Sequence, residues 1–447
     1  MTNNKKAQGF NGLGIAPSLL KAIESLGFKT PTPIQLKSIP TAIEGSDLVG
    51  IAQTGTGKTL AFGIPMMQIL AKEKGVGLVL LPTRELAFQV EEHLKKIGSK
   101  FGLRTVVLIG GAPIGQQIAK LKRRPHIIVA TPGRLIDHIN RHTAKLNKLK
   151  CLVLDEADMM LDMGFMPQVK EILQNVPTDR HTMLFSATMP PAIMDIARNH
   201  MKTPVRIEVA PSGTPAKSIS QEITMLNRED KFTELLSILN KHKGSVLIFA
   251  RTKHGVKNLC FRLKRNNFAS AEIHSNRTLA QRQSALKGFK EGRYRILVAT
   301  DIAARGLDIN DIEVVVNFDM PESKEDYVHR IGRTARAGKS GLAISFATPS
   351  QLGQIKRIER LIKMEIPTRE KVTPGVPIKT LQKKYSTAKT KIGGSRMYKS
   401  ASGKKSNYGR KKQSGSGSSG TRKPASRGRQ NKMNSRGVRK ARTKRYR

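Results

Sequence analysis

Short apolar runs recur along the chain at helix-length intervals, and the recurrence happens twice. Runs at 48–51, 78–81, 106–109, 127–130, 151–154 and 183–185 form one series, and runs at 246–249, 296–299, 314–316 and 343–346 form a second. These runs are rich in β-branched residues and do not alternate with polar ones, as expected of strands buried on both faces. The amphipathic stretches between them suit covering helices. The pattern therefore predicts an α/β fold of two tandem domains, each with a parallel sheet. Two breaks divide it: Ala210-Pro211-Ser212-Gly213-Thr214-Pro215 reads as a connector, and after the helical stretch ending near Met364 the chain turns to Pro, Gly, Ser and basic residues. The expected layout is a first domain over 1–208, a linker over 209–218, a second domain over 219–365 and a tail over 366–447.

Charge adds a partner to this picture. The 447 residues include 80 Lys and Arg against 33 Asp and Glu, a net charge of +47. From residue 371 onward there are 25 basic residues and no acid, so the preceding 370 residues still carry +22. Both portions call for a polyanion, of which nucleic acid is the commonest. The tail, with its 415–420 Gly-Ser spacer, is too polar to bury a core and is expected to be disordered when free. Tyr385, Tyr398, Tyr408 and Tyr446 lie among its cations, where aromatic rings can stack on unpaired bases. No apolar run approaches the roughly 20 residues of a membrane span, and residues 1–6 lead into no signal-peptide core. An intracellular location follows as the expectation. Cys151 and Cys260 lack metal-ligand spacing and read as small buried hydrophobes.

The chemistry begins where the run at 151–154 delivers Asp155, Glu156, Ala157 and Asp158 to its end. Paired carboxylates there can hold magnesium and activate water, although acidic turns are common enough that the tetrad needs a partner. That partner is upstream, in Ala52-Gln53-Thr54-Gly55-Thr56-Gly57-Lys58-Thr59. Gly55 and Gly57 allow backbone N–H groups to face an anion, Lys58 reaches the outer phosphates, and the Thr59 hydroxyl suits Mg²⁺. Ala52 stands where the generic phosphate loop has its first glycine.

Further motifs follow in a fixed order. Gly27-Phe28 and Pro31-Thr32-Pro33-Ile34-Gln35 precede the loop; Pro82-Thr83-Arg84-Glu85-Leu86-Ala87, Gly110-Gly111, Thr131-Pro132-Gly133-Arg134 and Ser186-Ala187-Thr188 come after it. The second domain adds Leu247 to Thr252, Ala299 to Asp308 and His329 to Gly338. Over roughly residues 10 to 365 this set resembles the DEAD-box ATP-dependent RNA helicases.

The resemblance implies two RecA-like domains with ATP and Mg²⁺ as cofactors. It implies that Gln35 reads the adenine edge with Phe28 beside it, and that the loop from Ala52 to Thr59 cradles the phosphates. Asp155 and Thr59 would hold the metal, partly through water; Glu156 would orient or deprotonate the attacking water. Arg333 and Arg336 would be arginine fingers, worth roughly 10³ to 10⁵ in rate; being three apart, they face the same way if their segment is helical. Gly306 and Asp308 would meet the ribose, and Ser186, Thr188 and His329 would couple the nucleotide to RNA. Thr83, Arg84, Gly111, Thr131, Gly133, Arg134, Arg251, Thr300 and Asp301 match positions that touch the sugar-phosphate backbone. Taken singly, Gln35 would pass for a helix-start residue, the hydroxyls for strand-end groups and the arginines for a solvated face.

One motif departs from the family pattern. The second domain has His274-Ser275 where His-Gly is usual, and Leu279 in place of a Gln, with Arg282 kept. Leu279 has no amide to donate, which puts the RNA or interdomain contacts of this segment in question. The implied activity is RNA-stimulated ATP hydrolysis that separates short duplexes or remodels RNA–protein complexes. The alternative is a non-unwinding ATP-gated clamp or annealing factor; a DNA translocase and a small-molecule kinase fit the motif set less well. The compact core resembles bacterial RhlE-like members, which favours a bacterial cytoplasm, although the basic tail would equally suit a nuclear address. A monomeric core and partners from ribosome assembly or RNA decay fit the same resemblance.

Overall fold

The structure, a computed structural model, describes residues 9–53, 55–209, 219–304, 312–335 and 340–370. The linker from 210 to 218, Thr54, Gly306, Asp308, Arg336 and the tail from 371 lie outside the described residues.

Each run of the first series is a strand of one sheet: β1 Leu48–Ile51, β2 Val76–Leu80, β3 Thr105–Leu108, β4 Ile127–Ala130, β5 Leu149–Leu154 and β6 His181–Ser186, joined by β7 Val205–Glu208. Their order is β3-β4-β2-β5-β6-β1-β7, and every pairing is parallel. The second sheet contains β8 Ile219–Met225, β9 Val246–Phe249, β10 Ser270–Ile273, β11 Ile296–Ala299, β12 Val314–Asn317, β13 Gly341–Ala347 and β14 Thr368–Glu370. It runs β10-β11-β9-β12-β13-β8-β14, again parallel throughout. The inner strands β1, β4, β9, β11 and β12 are buried at every position, because helices cover both faces. Apolar clusters on the two faces of each sheet form the cores, from Ile34, Phe62 and Phe185 in the first domain to Phe346, Tyr327 and Ile358 in the second.

Four strands escaped the apolar pattern, three of them at sheet margins. β7 and β14 show mostly exposed residues, and β10 carries Glu272, since an edge strand need not be apolar on both faces. β8 mixes polar and apolar positions as its neighbour β14 leaves it half covered. Ile366 is buried, so the folded region runs past the expected tail boundary at 366.

Ligand sites in such sheets lie beyond the strands' carboxyl ends, where helix N-termini converge. Those ends carry nearly all of the candidate chemistry.

Candidate active site

β1 leads into the phosphate loop, and the helix Lys58–Lys72 begins directly after it. The loop bends at Gly55 (φ 86°) and Gly57 (φ 91°), a left-handed backbone that glycine adopts without steric cost. Ala52 makes no such demand: it is buried, and its N–H donates to the Ser186 carbonyl at 3.0 Å, tying the loop to β6. The Thr56 hydroxyl donates to the Gln53 carbonyl at 2.7 Å, closing the loop on itself.

Lys58 points across the loop to the acidic tetrad. Its ammonium donates to Glu156 Oε1 at 2.6 Å and to the Ala52 carbonyl at 3.3 Å, and it lies 3.7 Å from Asp155 Oδ1. All three charged side chains are about 5% exposed or less, so their interactions are poorly screened. Burial opposes the Lys58 charge, but Glu156 and Asp155 together outweigh it and hold its pKa above the ordinary lysine value. Burial pushes the Asp155 carboxyl up to about 7; Lys58 works against this rise and Glu156 adds to it. For Glu156 burial also raises the pKa, yet Lys58 with His329 and Arg333 prevails and lowers it. Glu156 is thus the carboxylate that stays ionised, and it does so partly through second-domain groups.

Glu156 itself has φ 54°, a left-handed conformation unusual for a side chain of its size. It caps the helix Ala157–Asp162 and aims its carboxylate at Lys58. Such backbone strain persists only where surrounding contacts over-determine it. Asp158 supplies several: its Oδ2 accepts from Thr188 N (2.8 Å), Thr188 Oγ1 (3.0 Å) and Ala187 N (3.1 Å), while its own N–H donates to Ser186 Oγ at 3.1 Å. This bridge couples the acidic tetrad to the β6 end; the sequence marked Asp158 as a member of the tetrad but gave it no role of its own.

A cavity of about 590 Å³ opens over the loop, lined by Phe28, Gln35, Gly57, Lys58, Thr59 and Glu156 among others. Gln35 is buried and serves two structural partners: its Oε1 accepts from Thr32 N–H as a capping box, and its Nε2 donates to the Gly57 carbonyl at 2.9 Å. The helix-start role and the position at the cavity wall therefore coexist. Phe28 is 37% exposed at the same wall.

A second cavity, of about 440 Å³, lies between the domains and is lined by Gln53, Asp158, Thr188, His329 and Arg333. Asp162, Asp326 and His329 bring one ligating atom each within 4.8 Å of one another there. Arg333 is buried and its Nε donates to the His329 carbonyl. The helix Lys324–Ile331 stops before Arg333 and Gly332 caps it, so Arg333 is not on a helix, while Arg336 lies outside the described residues. Thr334 instead forms a bridge with Ile312, which sets the direction of this segment.

Of the proposed RNA residues Thr83 and Thr131 are buried, Arg84, Arg134, Thr300 and Asp301 half-buried, and Gly111, Gly133 and Arg251 exposed. Thr83 and Thr131 begin the helices Arg84–Gly98 and Pro132–Asn140 at the ends of β2 and β4. The Arg84 guanidinium lies against Gly110 and Gly111, and a Cβ at Gly111 would collide with it. Arg134 donates to the Ala112 carbonyl at 3.0 Å, and the space beside Gly133 is open. Arg251 is exposed, its N–H fixed by Asp319 Oδ2 at 3.0 Å, and Thr300 begins a short helix. Asp301 differs from these, since both its oxygens engage Arg330, one at 2.7 Å. Arg330 also donates to Asn317 Oδ1 and the Asp319 carbonyl and lies under Phe249, a buried anchor that sequence reading missed.

Leu279 and Arg282 meet the other domain. Arg282 Nη2 pairs with Glu85 Oε2 at 3.0 Å, with side chains 13% and 4% exposed. Leu279 packs against the first-domain apolar cluster that contains Leu86 and Ala87. The departure from Gln thus substitutes an apolar interdomain contact for an amide.

Comparison with known proteins agrees with this geometry. The profile described as DEAD/DEAH box helicase matches residues 32–196, and that of the helicase conserved C-terminal domain matches residues 229–338. The chain is 46% identical over 386 residues to the DEAD-box ATP-dependent RNA helicase CshA of Bacillus thuringiensis (strain Al Hakam), covering 85% of this chain and 73% of that one. To CshA of Bacillus subtilis (strain 168) it is 43% identical over 386 residues, covering 85% and 78%. These relatives carry the CshA name, not the RhlE name expected from sequence. Among solved structures, S. cerevisiae Dbp5 bound to RNA and ADP BeF3 superposes with a TM-score of 0.74 at 29% identity, covering 86% of this chain and 99% of that one. Mss116p bound to ssRNA and AMP-PNP gives 0.77 at 31% identity, covering 85% and 82%.

Proposed function

The chain belongs to the DEAD-box ATP-dependent RNA helicases, and from that premise we propose that it opens short RNA duplexes, or remodels RNA–protein complexes, by ATP-driven closure of its two domains on one RNA strand. The observation that carries this reading is the buried Lys58–Glu156 pair with Arg333 and His329 of the second domain acting on the same carboxylate. Hydrolytic groups shared between two domains make turnover conditional on closure.

Lys58 and Glu156 neutralise each other across the loop. ATP phosphates entering the cavity compete for the ammonium and release Glu156 to face the attacking water, where an ionised carboxylate can accept its proton. The Thr59 hydroxyl and Asp155 form an all-oxygen donor set that suits a hard cation, and Mg²⁺ held there would neutralise phosphate charge. Arg333 would stabilise the charge that builds on the phosphates once the domains close. The Asp158–Thr188 bridge would report nucleotide state to the strand ends that carry Thr131, Arg134 and Arg251. Those groups would hold the sugar-phosphate backbone without reading sequence, and 2′-hydroxyls would favour RNA over DNA.

Among the described residues no helix is long and apolar enough to cross a membrane, which is compatible with the cytoplasmic site we propose. Two measurements test the function. ATPase stimulation should be strong with an RNA strand and weak with the matched DNA strand. Release of a short RNA duplex should require ATP and fail with ADP or no nucleotide; nucleotide-independent release or net annealing would instead identify the annealing factor.

A further inference from the structure

The helix Lys253–Arg265 follows β9 and Arg251 directly and carries five Lys and Arg and one His among its 13 residues. It contains no Asp or Glu. Val256, Leu259, Cys260 and Leu263 face the core, while His254, Lys257, Asn258, Phe261, Lys264 and Arg265 are exposed. At 100° per residue the exposed positions 254, 257, 261 and 265 fall on one stripe. Phe261 is 59% exposed, the most exposed of the large apolar side chains among the described residues, and the Arg265 guanidinium lies 5.9 Å from its ring centroid. A solvated helix face has no need of that aromatic ring. Burial lowers the His274 pKa, and the charges of Lys253, Arg282, His254 and Lys257 lower it further, so the first turns of this helix act on the same group as Arg282 at the interdomain seam.

We propose that this stripe is an accessory RNA track, in which Lys257, Lys264 and Arg265 hold phosphates and Phe261 stacks on an unpaired base as the strand leaves the cleft past Arg251. The proposal rests on the RNA-clamp reading above and extends it beyond the motif residues. Continuity supports it, since Thr252 caps the helix immediately after Arg251. Charge and chemistry support it as well, because cations around an exposed ring form a sequence-tolerant platform for single strands. The helix has 13 residues and so runs about 20 Å. That length matches about six nucleotides at about 3.4 Å each.

The test compares the full-length protein with its Lys257→Ala/Phe261→Ala/Arg265→Ala variant, bound to a non-hydrolysable ATP analogue. The ligands are a single-stranded RNA of about six nucleotides and the same strand extended by about six at its 5′ or its 3′ end. Wild type should gain affinity from the extension at one end. The variant should bind the short strand as wild type does, lose that gain by about tenfold or more, and show a salt slope lower by about 1.4 for two lost phosphate contacts. Phe261→Tyr alone should keep the gain. Equal loss on the short strand would overturn the proposal by making the stripe part of the core track or of the fold. No loss on any strand would also overturn it and leave the stripe to an acidic protein surface. If wild type bound no RNA with the analogue, the clamp reading itself would fall, a result distinct from either.

Discussion

Replacing Glu156 with Gln keeps the side-chain shape, removes one charge, and tests the competition built into the site. Lys58 Nζ and Glu156 Oε1 are 2.6 Å apart and nearly without solvent, so their attraction at an effective dielectric of about 20 has an upper bound of about 6 kcal/mol. Most of this is offset by desolvation, and the Gln amide oxygen still accepts a hydrogen bond from the Lys58 ammonium. The part specific to the carboxylate charge is about 1 to 2 kcal/mol, the difference between a bond with both partners ionised and one with only the ammonium ionised. ATP no longer has to displace that part, so E156Q should bind ATP about tenfold more tightly than wild type. Loss of the proton acceptor should lower hydrolysis by roughly 10² to 10⁴. Fluorescent-nucleotide titration measures the first effect and single-turnover hydrolysis on saturating RNA the second; together they predict a variant that holds ATP and RNA and releases both slowly. Unchanged or weaker ATP binding would refute the competition, and rapid multiple turnover would remove Glu156 from the mechanism.

Asp155, with its pKa raised to about 7 from an unfolded value of about 3.9, keeps its proton in the folded state while the unfolded chain loses its own. Folded protein therefore binds more protons between about pH 4 and 7, and the stability of the ligand-free protein should fall as pH rises through that window. Asp155→Asn should flatten this dependence and raise the ligand-free melting temperature at pH 7.5, while Mg·ATP binding is lost; thermal scans across pH would expose the opposite slope if the sign is wrong. Arg333→Ala should lower RNA-stimulated kcat by about 10³ or more and leave ATP binding without RNA within a few fold, because the group belongs to the second domain. A comparable loss of RNA-free ATP affinity would place Arg333 in ground-state binding instead. Arg282→Ala leaves the Glu85 carboxylate buried without its ion pair unless the domains part, a cost of up to about 3 kcal/mol that opening relieves. Domain-to-domain energy transfer should then report a smaller closed population with ATP analogue and RNA, and Leu279→Gln should shift it the same way by less; an unchanged closed fraction in both would exclude this seam as a latch.

Much of the molecule was legible in the residues because its signals are local. The apolar runs became ten of the fourteen strands among the described residues, since a strand covered on both faces must be apolar throughout. The phosphate loop, the tetrad and the hydroxyl motif follow from residue type and spacing alone. The margins of the sheets were illegible for the converse reason: β7, β10 and β14 each have a free or half-free side, and their polar residues carry no strand signature. Likewise, the sequence around Arg333 suited a continued helix, but Gly332 ends it and Thr334 bridges to Ile312.

What the sequence determined by itself was therefore the set of parts: two parallel sheets, a phosphate loop, a pair of carboxylates and a basic surface, each encoded within a few neighbouring residues. Which charges meet was decided only in three dimensions. Lys58 and Glu156 are 98 positions apart and form one buried pair, Asp301 is held by Arg330, and Leu279 finds an apolar neighbour across the seam. These contacts depend on packing between distant segments, and electrostatics inside a desolvated cleft turns a few ångströms of placement into the difference between an idle carboxylate and a reactive one.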